Sequence, residues 1–555
     1  MQTSVRPAEP TAHVDTFARD HLPPRDAWPA LPFDRPELRY PGRLNCAAAL
    51  LDGALANGWA SRTAIVAPGG VRWTYAELAA RANRIAHVLV DDMGLVPGNR
   101  VLLRGANTPS MAAAWFGVVK AGGIAVATMP LLRARELVDI LDKARVSHAL
   151  SDARLTDELE AARRTSPLLA HVAVFGSDAP GSLDAMAADK PDTFDAVATA
   201  ADDTALIAFT SGTTGKPKGT MHFHRDVLAI CDLWPKSTLK ARPDDLFTGS
   251  PPLAFTFGLG GLLLFPLRIG AATLLLERAS PEALLPAIAE HRASVLFTAP
   301  TSYRAMAPHV AAHDLASLRK CVSAGEALPA ATRKLWKDAT GIDIIDGIGA
   351  TELLHIFISH PDDDVRPGAT GKPVPGYEAC VMDDDGKPLP PGQVGRLAVR
   401  GPTGCRYLDD PRQANYVRNG WNYTGDAYLV DEDGWFVYQA RTDDMIVSAG
   451  YNIAGPEVEG ALLLHPAVAE CACVASPDEE RGNIVKAFIV LKPGHAADDA
   501  MTHELQAFVK RAIAPYKYPR AIEYVASLPR TDTGKLQRFR LRQQEIERAA
   551  RGGAR

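Results

Sequence analysis

No stretch of this 555-residue sequence is apolar for the thickness of a bilayer. The most hydrophobic segment, residues 258–276, is interrupted by Pro266, Arg268 and Gly270, so a buried helix followed by a strand is expected there. Charge of one sign is also lacking. Sixty Lys and Arg stand against 65 Asp and Glu, a net charge of -5, so neither nucleic acid nor anionic membrane is favoured as a partner. Seven cysteines, at 46, 231, 321, 380, 405, 471 and 473, are odd in number and have no zinc-site spacing. Cys471-Ala472-Cys473 reads as alternating positions on a strand, and the set as reduced thiols of a cytoplasmic protein. The opening residues MQTSVRPAEP contain no apolar run, so no secretory signal is expected. With 47% hydrophobic and 23% charged residues the chain is neither disordered nor fibrous, and its length calls for several packed units.

What is present is alternation. After a proline-rich arm over residues 1–45, Thr74-Tyr75-Ala76-Glu77 forms a capping box that opens a helix with Leu78, Ile85, Val88 and Leu89 at helical spacing. A strand at 100–104, a helix at 110–120, a strand at 123–128, a helix at 133–143 and a strand at 147–151 follow. This order specifies βαβ units and a largely parallel sheet, and a second series runs from 228 to about 346. From about 368, short strands separated by Gly, Pro and Asp turns indicate a β-rich subdomain. A compact α+β pattern occupies the remainder. The expected fold is α/β: a large N-terminal domain (1–440) of parallel βαβ sheets plus the β-rich subdomain, a hinge at 441–444, and a small mobile α+β domain at 445–555.

The densest motif is Thr210-Ser211-Gly212-Thr213-Thr214-Gly215-Lys216-Pro217-Lys218-Gly219, entered from an apolar strand at 205–209. Its glycines permit positive φ and close backbone approach, four hydroxyls can donate to phosphate oxygens, and two lysines supply charge. It is not a Walker A loop, because Pro217 follows Lys216 where that motif has Ser or Thr. On this motif, and on others that follow it in order over roughly 60–545, the sequence resembles the adenylate-forming superfamily of acyl-CoA synthetases, luciferases and peptide-synthetase adenylation domains. Asp346-Gly347-Ile348-Gly349-Ala350-Thr351-Glu352-Leu353-Leu354-His355-Ile356-Phe357 resembles the benzoate- and 2-aminobenzoate-CoA ligases, and the run 38–46 leans toward the 2-aminobenzoate type.

The resemblance implies roles residue by residue. Thr210, Ser211, Gly212, Thr213, Thr214 and Lys218 would hold the ATP phosphates, with Gly347 and Ile348 near the adenine. Ile348 stands where many relatives stack a tyrosine. Thr351 would donate to the α-phosphate and Glu352 would hold Mg²⁺, which takes hard oxygen ligands. Asp426, in Tyr423-Thr424-Gly425-Asp426, would accept from the ribose hydroxyls, since an ionised carboxylate is acceptor-only and suits a diol. Arg441 would contact ribose or phosphate. Lys535, in the motif Pro529-Arg530-Thr531-Asp532-Thr533-Gly534-Lys535-Leu536, would bridge the carboxylate and the α-phosphate, where charge builds in the transition state. Asp443 would be the hinge residue, and Gly450 and Tyr451 would line the tunnel for the pantetheine of coenzyme A. The acid pocket would use Phe255, Phe257 and Leu259, then Ala324 and Gly325 in the segment 323–326, and finally Gly349 and His355. Apolar walls with few polar groups suit a planar ring. His222 and His224 read as structural.

The expected activity is therefore an ATP-dependent, Mg²⁺-requiring aryl-CoA ligase acting on benzoate or 2-aminobenzoate through an aryl-AMP, as a monomer or homodimer. A non-aromatic acid, a carrier-protein acceptor or a non-catalytic nucleotide-binding module are the alternatives.

Overall fold

The computed structural model describes residues 9–210, 217–442, 444–448, 451–478, 481–530 and 536–552. Two large sheets form the N-terminal domain. The first has six strands in the order His171–Phe175, His148–Asp152, Arg100–Arg104, Ile124–Thr128, Thr204–Thr210, Lys218–Phe223. All neighbours are parallel except the last pair. The second has nine strands, and the six from Ile344–Gly349 through Lys320–Ser323, Val295–Thr298, Leu246–Gly249 and Ala272–Leu274 to Thr63–Ala67 are parallel neighbours. Ile356–Ser359 and Lys372–Pro373 add antiparallel at one edge and Val71–Thr74 at the other.

Local sequence sets these elements. Thr74 Oγ1 accepts from the Glu77 N–H at 3.2 Å while a Glu77 carboxylate oxygen accepts from the Thr74 N–H at 2.8 Å, the expected reciprocal cap of Tyr75–His87. The helix read from 110 begins one residue earlier, as Pro109–Lys120. Thr108 caps it through the Met111 N–H, and proline suits the first helical position because its missing N–H would have no partner there. The 258–276 segment is a buried helical stretch to Arg268 followed by the strand Ala272–Leu274, as its interrupted hydrophobicity predicts. Among the described residues no helix is long and apolar enough to cross a membrane.

Residues 378–441 form the β-rich sheet, in which Gly395–Arg400 and Trp421–Val430 are central and Phe436–Arg441 pairs with the latter. The small C-terminal domain carries the antiparallel pair Val468–Asp478 and Gly482–Leu491, extended in parallel by Ala521–Tyr524. Gly455–Leu462 and Asp499–Ala512 pack with Cys471 and Cys473 in one apolar cluster, whereas Ala472 shares a separate cluster with Leu541 of Arg538–Gly552. The period of two in the strand thus sorts the cysteines from the alanine between them. The large core includes Phe436, and the small one begins at Ile446.

Right-handed crossovers leave crevices at the carboxyl ends of parallel strands, where ligands of such sheets bind. Three sequence-predicted segments emerge there: residues 251–261 after Leu246–Gly249, Ala324 and Gly325 after Lys320–Ser323, and Thr351 and Glu352 after Ile344–Gly349.

Candidate active site

The chain leaves one strand at Thr210 and re-enters its antiparallel neighbour at Lys218, directly opposite in register. The intervening Ser211, Gly212, Thr213 and Thr214 lie outside the described residues, as do Asp443, Gly450 and Lys535, and of Tyr451 only the backbone is described, in Tyr451–Ile453. A strand–strand setting means that no helix begins at the end of the loop, so a bound anion would draw on backbone N–H groups and lysine. Gly219 is not among the glycines with positive φ; it serves close packing instead, since a Cβ there would lie 2.9 Å from Ile207 Cγ2. The Thr210 hydroxyl is buried with no partner among the described residues.

The turn 351–355 organises the site. Thr351–Leu353 is a short helical turn, and Leu354 follows with φ 69°, a conformation costly for a bulky side chain. That reversal lets Ile356 pair back with Gly349. Glu352 projects to one side, 8% exposed. It accepts from the Tyr407 hydroxyl, which in turn accepts from Lys218 Nζ at 2.9 Å, while Lys218 Nζ lies 3.7 Å from the Glu352 carboxylate. Burial, with the Glu352 carboxylate adding to it, raises the Tyr407 phenol above its usual range and keeps it a donor.

Tyr407 is a residue that the sequence reading missed. Residues 406–408 run as a further short edge beside Lys218–Phe223: the Leu408 N–H donates to the Gly219 carbonyl and the Met221 N–H to that of Arg406, both at 2.8 Å. Fully buried Arg406 pairs with Asp226 and stacks 3.9 Å from the Phe223 ring centroid. His222, also fully buried, donates from Nε2 to the Thr351 carbonyl at 2.7 Å. Burial, reinforced by Arg406, pushes its pKa down to about 3, so it is neutral at physiological pH.

Asp426 and Arg441 face each other across paired strands, with Arg441 Nη1 donating to the Asp426 carboxylate at 3.0 Å and to the Thr424 carbonyl at 3.1 Å. Burial raises the Asp426 pKa, Arg441 opposes that rise, and Glu352 adds to it through its negative charge. The two carboxylates therefore share one electrostatic environment. The Tyr416 phenol feels both of them, and its buried oxygen has no partner among the described residues.

On the other side of the 351–355 turn, His355 enters an aromatic cluster. Its ring centroid lies 4.5 Å from Phe265, 5.7 Å from Phe257 and 5.9 Å from Trp234, and Phe257 and Trp234 both contact Phe297. Trp234, Phe265 and Phe297 were not in the predicted set; their distance in sequence from His355 gave no signal. His355 Nε2 lies 3.4 Å from the Phe257 carbonyl, and burial pushes the imidazole down to about 3. Gly260 makes room for it, because a Cβ there would stand 2.4 Å from His355 Cδ2. Leu259 and Ala324 are buried, Gly347 lies against Ile356, and Ile348 packs against the main core. Gly325 turns with φ 90°. Phe255 is half-buried and, among the described residues, makes no ring contact with this cluster.

The residues around Glu352 suit a divalent cation only in part. Among the described residues no group of three His, Cys, Asp or Glu side chains could hold a metal, so most oxygens around Mg²⁺ would come from a phosphate ligand. The orphaned hydroxyls of Thr210 and Tyr416 and the single Glu352 carboxylate fit that division of ligands.

Proteins of known structure and activity resemble the chain over most of its length. The chain is 38% identical over 513 residues to a benzoate–CoA ligase of Thauera aromatica, covering 91% of this chain and 97% of the relative. A crystal structure of an anthranilate CoA ligase in complex with anthranoyl-AMP superposes with a TM-score of 0.88 at 36% identity, over 93% of this chain and 100% of that one. A benzoate CoA ligase from Burkholderia xenovorans LB400 gives 0.82 at 34%, over 90% and 99%. The model of the AMP-binding enzyme matches residues 54–406, and that of the AMP-binding enzyme C-terminal domain matches 457–535. The chain belongs to the AMP-binding enzyme family.

Proposed function

We propose that this chain is an AMP-forming acid–thiol ligase that activates a benzoate-type acid, benzoate or 2-aminobenzoate, with ATP and transfers the aryl group to coenzyme A. The observation that carries the reading is the 351–355 turn, which presents Glu352 to Tyr407 and Lys218 on one side and His355 to three aromatic rings on the other. A planar apolar ring and a polyphosphate would thus meet across a few residues of backbone. The names of the relatives point the same way.

In the first half-reaction a carboxylate oxygen attacks the α-phosphorus, the bond to pyrophosphate breaks, and aryl-AMP forms. Thr351 orients the phosphate, Lys218 lies at the base of the phosphate loop, and Asp426 with Arg441 faces the ribose. Lys535 neutralises charge as it develops. Mg²⁺, when bound, neutralises phosphate charge, and Glu352 is the protein group that would hold it. In the second half-reaction the CoA thiol attacks the acyl carbon, loses its proton and expels AMP. The small domain turns about Asp443 between the two, bringing Gly450 and Tyr451 toward the thiol in place of Lys535. The neighbours of Asp443 support this reading. The Thr442 N–H donates to the Gly425 carbonyl at 2.9 Å in the large domain, while Asp444 accepts from Arg542 of the C-terminal helix.

The test is product analysis with ATP, Mg²⁺ and CoA against benzoate, 2-aminobenzoate and straight-chain acids. Aryl-CoA, AMP and pyrophosphate in equal amounts are expected from an aromatic acid. Turnover of aliphatic acids alone would overturn the aromatic assignment, and no pyrophosphate from any acid would favour the nucleotide-binding module.

A further inference from the structure

Arg530 and Leu536 form an antiparallel backbone bridge, with the Gln537 N–H donating to the Pro529 carbonyl at 2.9 Å. Arg530 therefore marks where the segment containing Lys535 springs from the small domain. Its guanidinium is anchored there by Glu470, which accepts from Nη2 at 2.7 Å. The other terminal nitrogen reaches across to the large domain, 3.8 Å from the Glu326 carboxylate. Glu326 directly follows Ala324 and Gly325, at the carboxyl end of the parallel strand Lys320–Ser323. Both side chains keep partial solvent access, at 28% and 19% exposure. A contact of this kind is weak enough to break in a catalytic cycle, yet it joins two opposite charges.

We propose that Glu326 and Arg530 form a cross-domain latch: a pair of positioning residues that holds the base of the Lys535 segment at the acid crevice during aryl-AMP formation and separates before thioester formation. The inference rests on the two-step ligase reading above. The latch acts through Lys535 and touches no reacting atom. Because a swing of the small domain would carry Arg530 away from Glu326, the pair favours one pose over the other by its differential contact energy.

A double-mutant cycle on the full-length enzyme tests this, with Glu326→Gln, Arg530→Gln and the double variant compared with wild type. Acid-dependent pyrophosphate exchange reports the first half-reaction, and thioester formation from supplied aryl-AMP reports the second. Each single variant is expected to lower the ratio of first to second rate about two- to fivefold, the range of a solvent-accessible ion pair. The double variant should lose no more than the worse single one. Losses that multiply in the double variant, or equal losses in both half-reactions, would overturn the latch. Wild-type enzyme inactive in both half-reactions would overturn the ligase reading itself, and the latch with it.

Discussion

His222 Nε2 lies 2.7 Å from the carbonyl oxygen of Thr351, joining the strand Lys218–Phe223 to the turn that bears Glu352. The two residues are 129 apart in sequence. Replacing His222 with Leu would leave that carbonyl without its donor inside the protein, at a cost of about 1–3 kcal/mol. Urea unfolding should show that loss, and KM for ATP should rise more than KM for the acid. Equal KM values in variant and wild type would show that the contact does not position Thr351.

Tyr407→Phe removes one hydroxyl that both donates to Glu352 and accepts from Lys218. A hydrogen bond to a charged group is worth about 1.5–3 kcal/mol, so pyrophosphate exchange should fall roughly 10- to 100-fold. The dependence on Mg²⁺ concentration should shift upward. Unchanged Mg²⁺ dependence would detach Tyr407 from the proposed metal carboxylate.

Lys535→Ala should abolish aryl-AMP formation while largely sparing thioester formation from supplied aryl-AMP, and Gly450→Leu should do the reverse. Survival of both half-reactions in Lys535→Ala would refute its assignment, and a normal thioesterification rate in Gly450→Leu would remove that glycine from the tunnel.

Acid should destabilise the fold well before ordinary carboxylates titrate. Burial lowers the pKa of His222, His224 and His355 from 6.5 to about 3 and that of His360 to about 4. Each contributes stability that is fully present above pH 6.5 and is lost as pH falls toward the depressed value, at about 1.4 kcal/mol per pH unit. Asp346, raised to about 7 by burial, and Asp426, also raised by burial, work in the opposite sense above the ordinary carboxylate pKa, but they are two groups against four. Melting temperature should therefore drop between pH 6.5 and 5, and a flat profile would contradict the neutral buried state of these imidazoles.

The sequence by itself determined the class of fold and the order of the motifs. Alternating helical and strand periods at 100–151 specify parallel strands, and the capping pair Thr74 and Glu77 marks a helix start, because both depend on neighbours a few residues away. The motif strings 210–219 and 346–357 likewise carry their identity locally. Only the tertiary structure decided which groups meet. Tyr407 reaches Glu352 because residues 406–408 lie along the edge of Lys218–Phe223, and Trp234, Phe265 and Phe297 surround His355 and Phe257 because crossovers bring distant segments to one crevice. Such contacts depend on sheet order and register, which arise from packing over the whole chain and leave no short-range pattern in it.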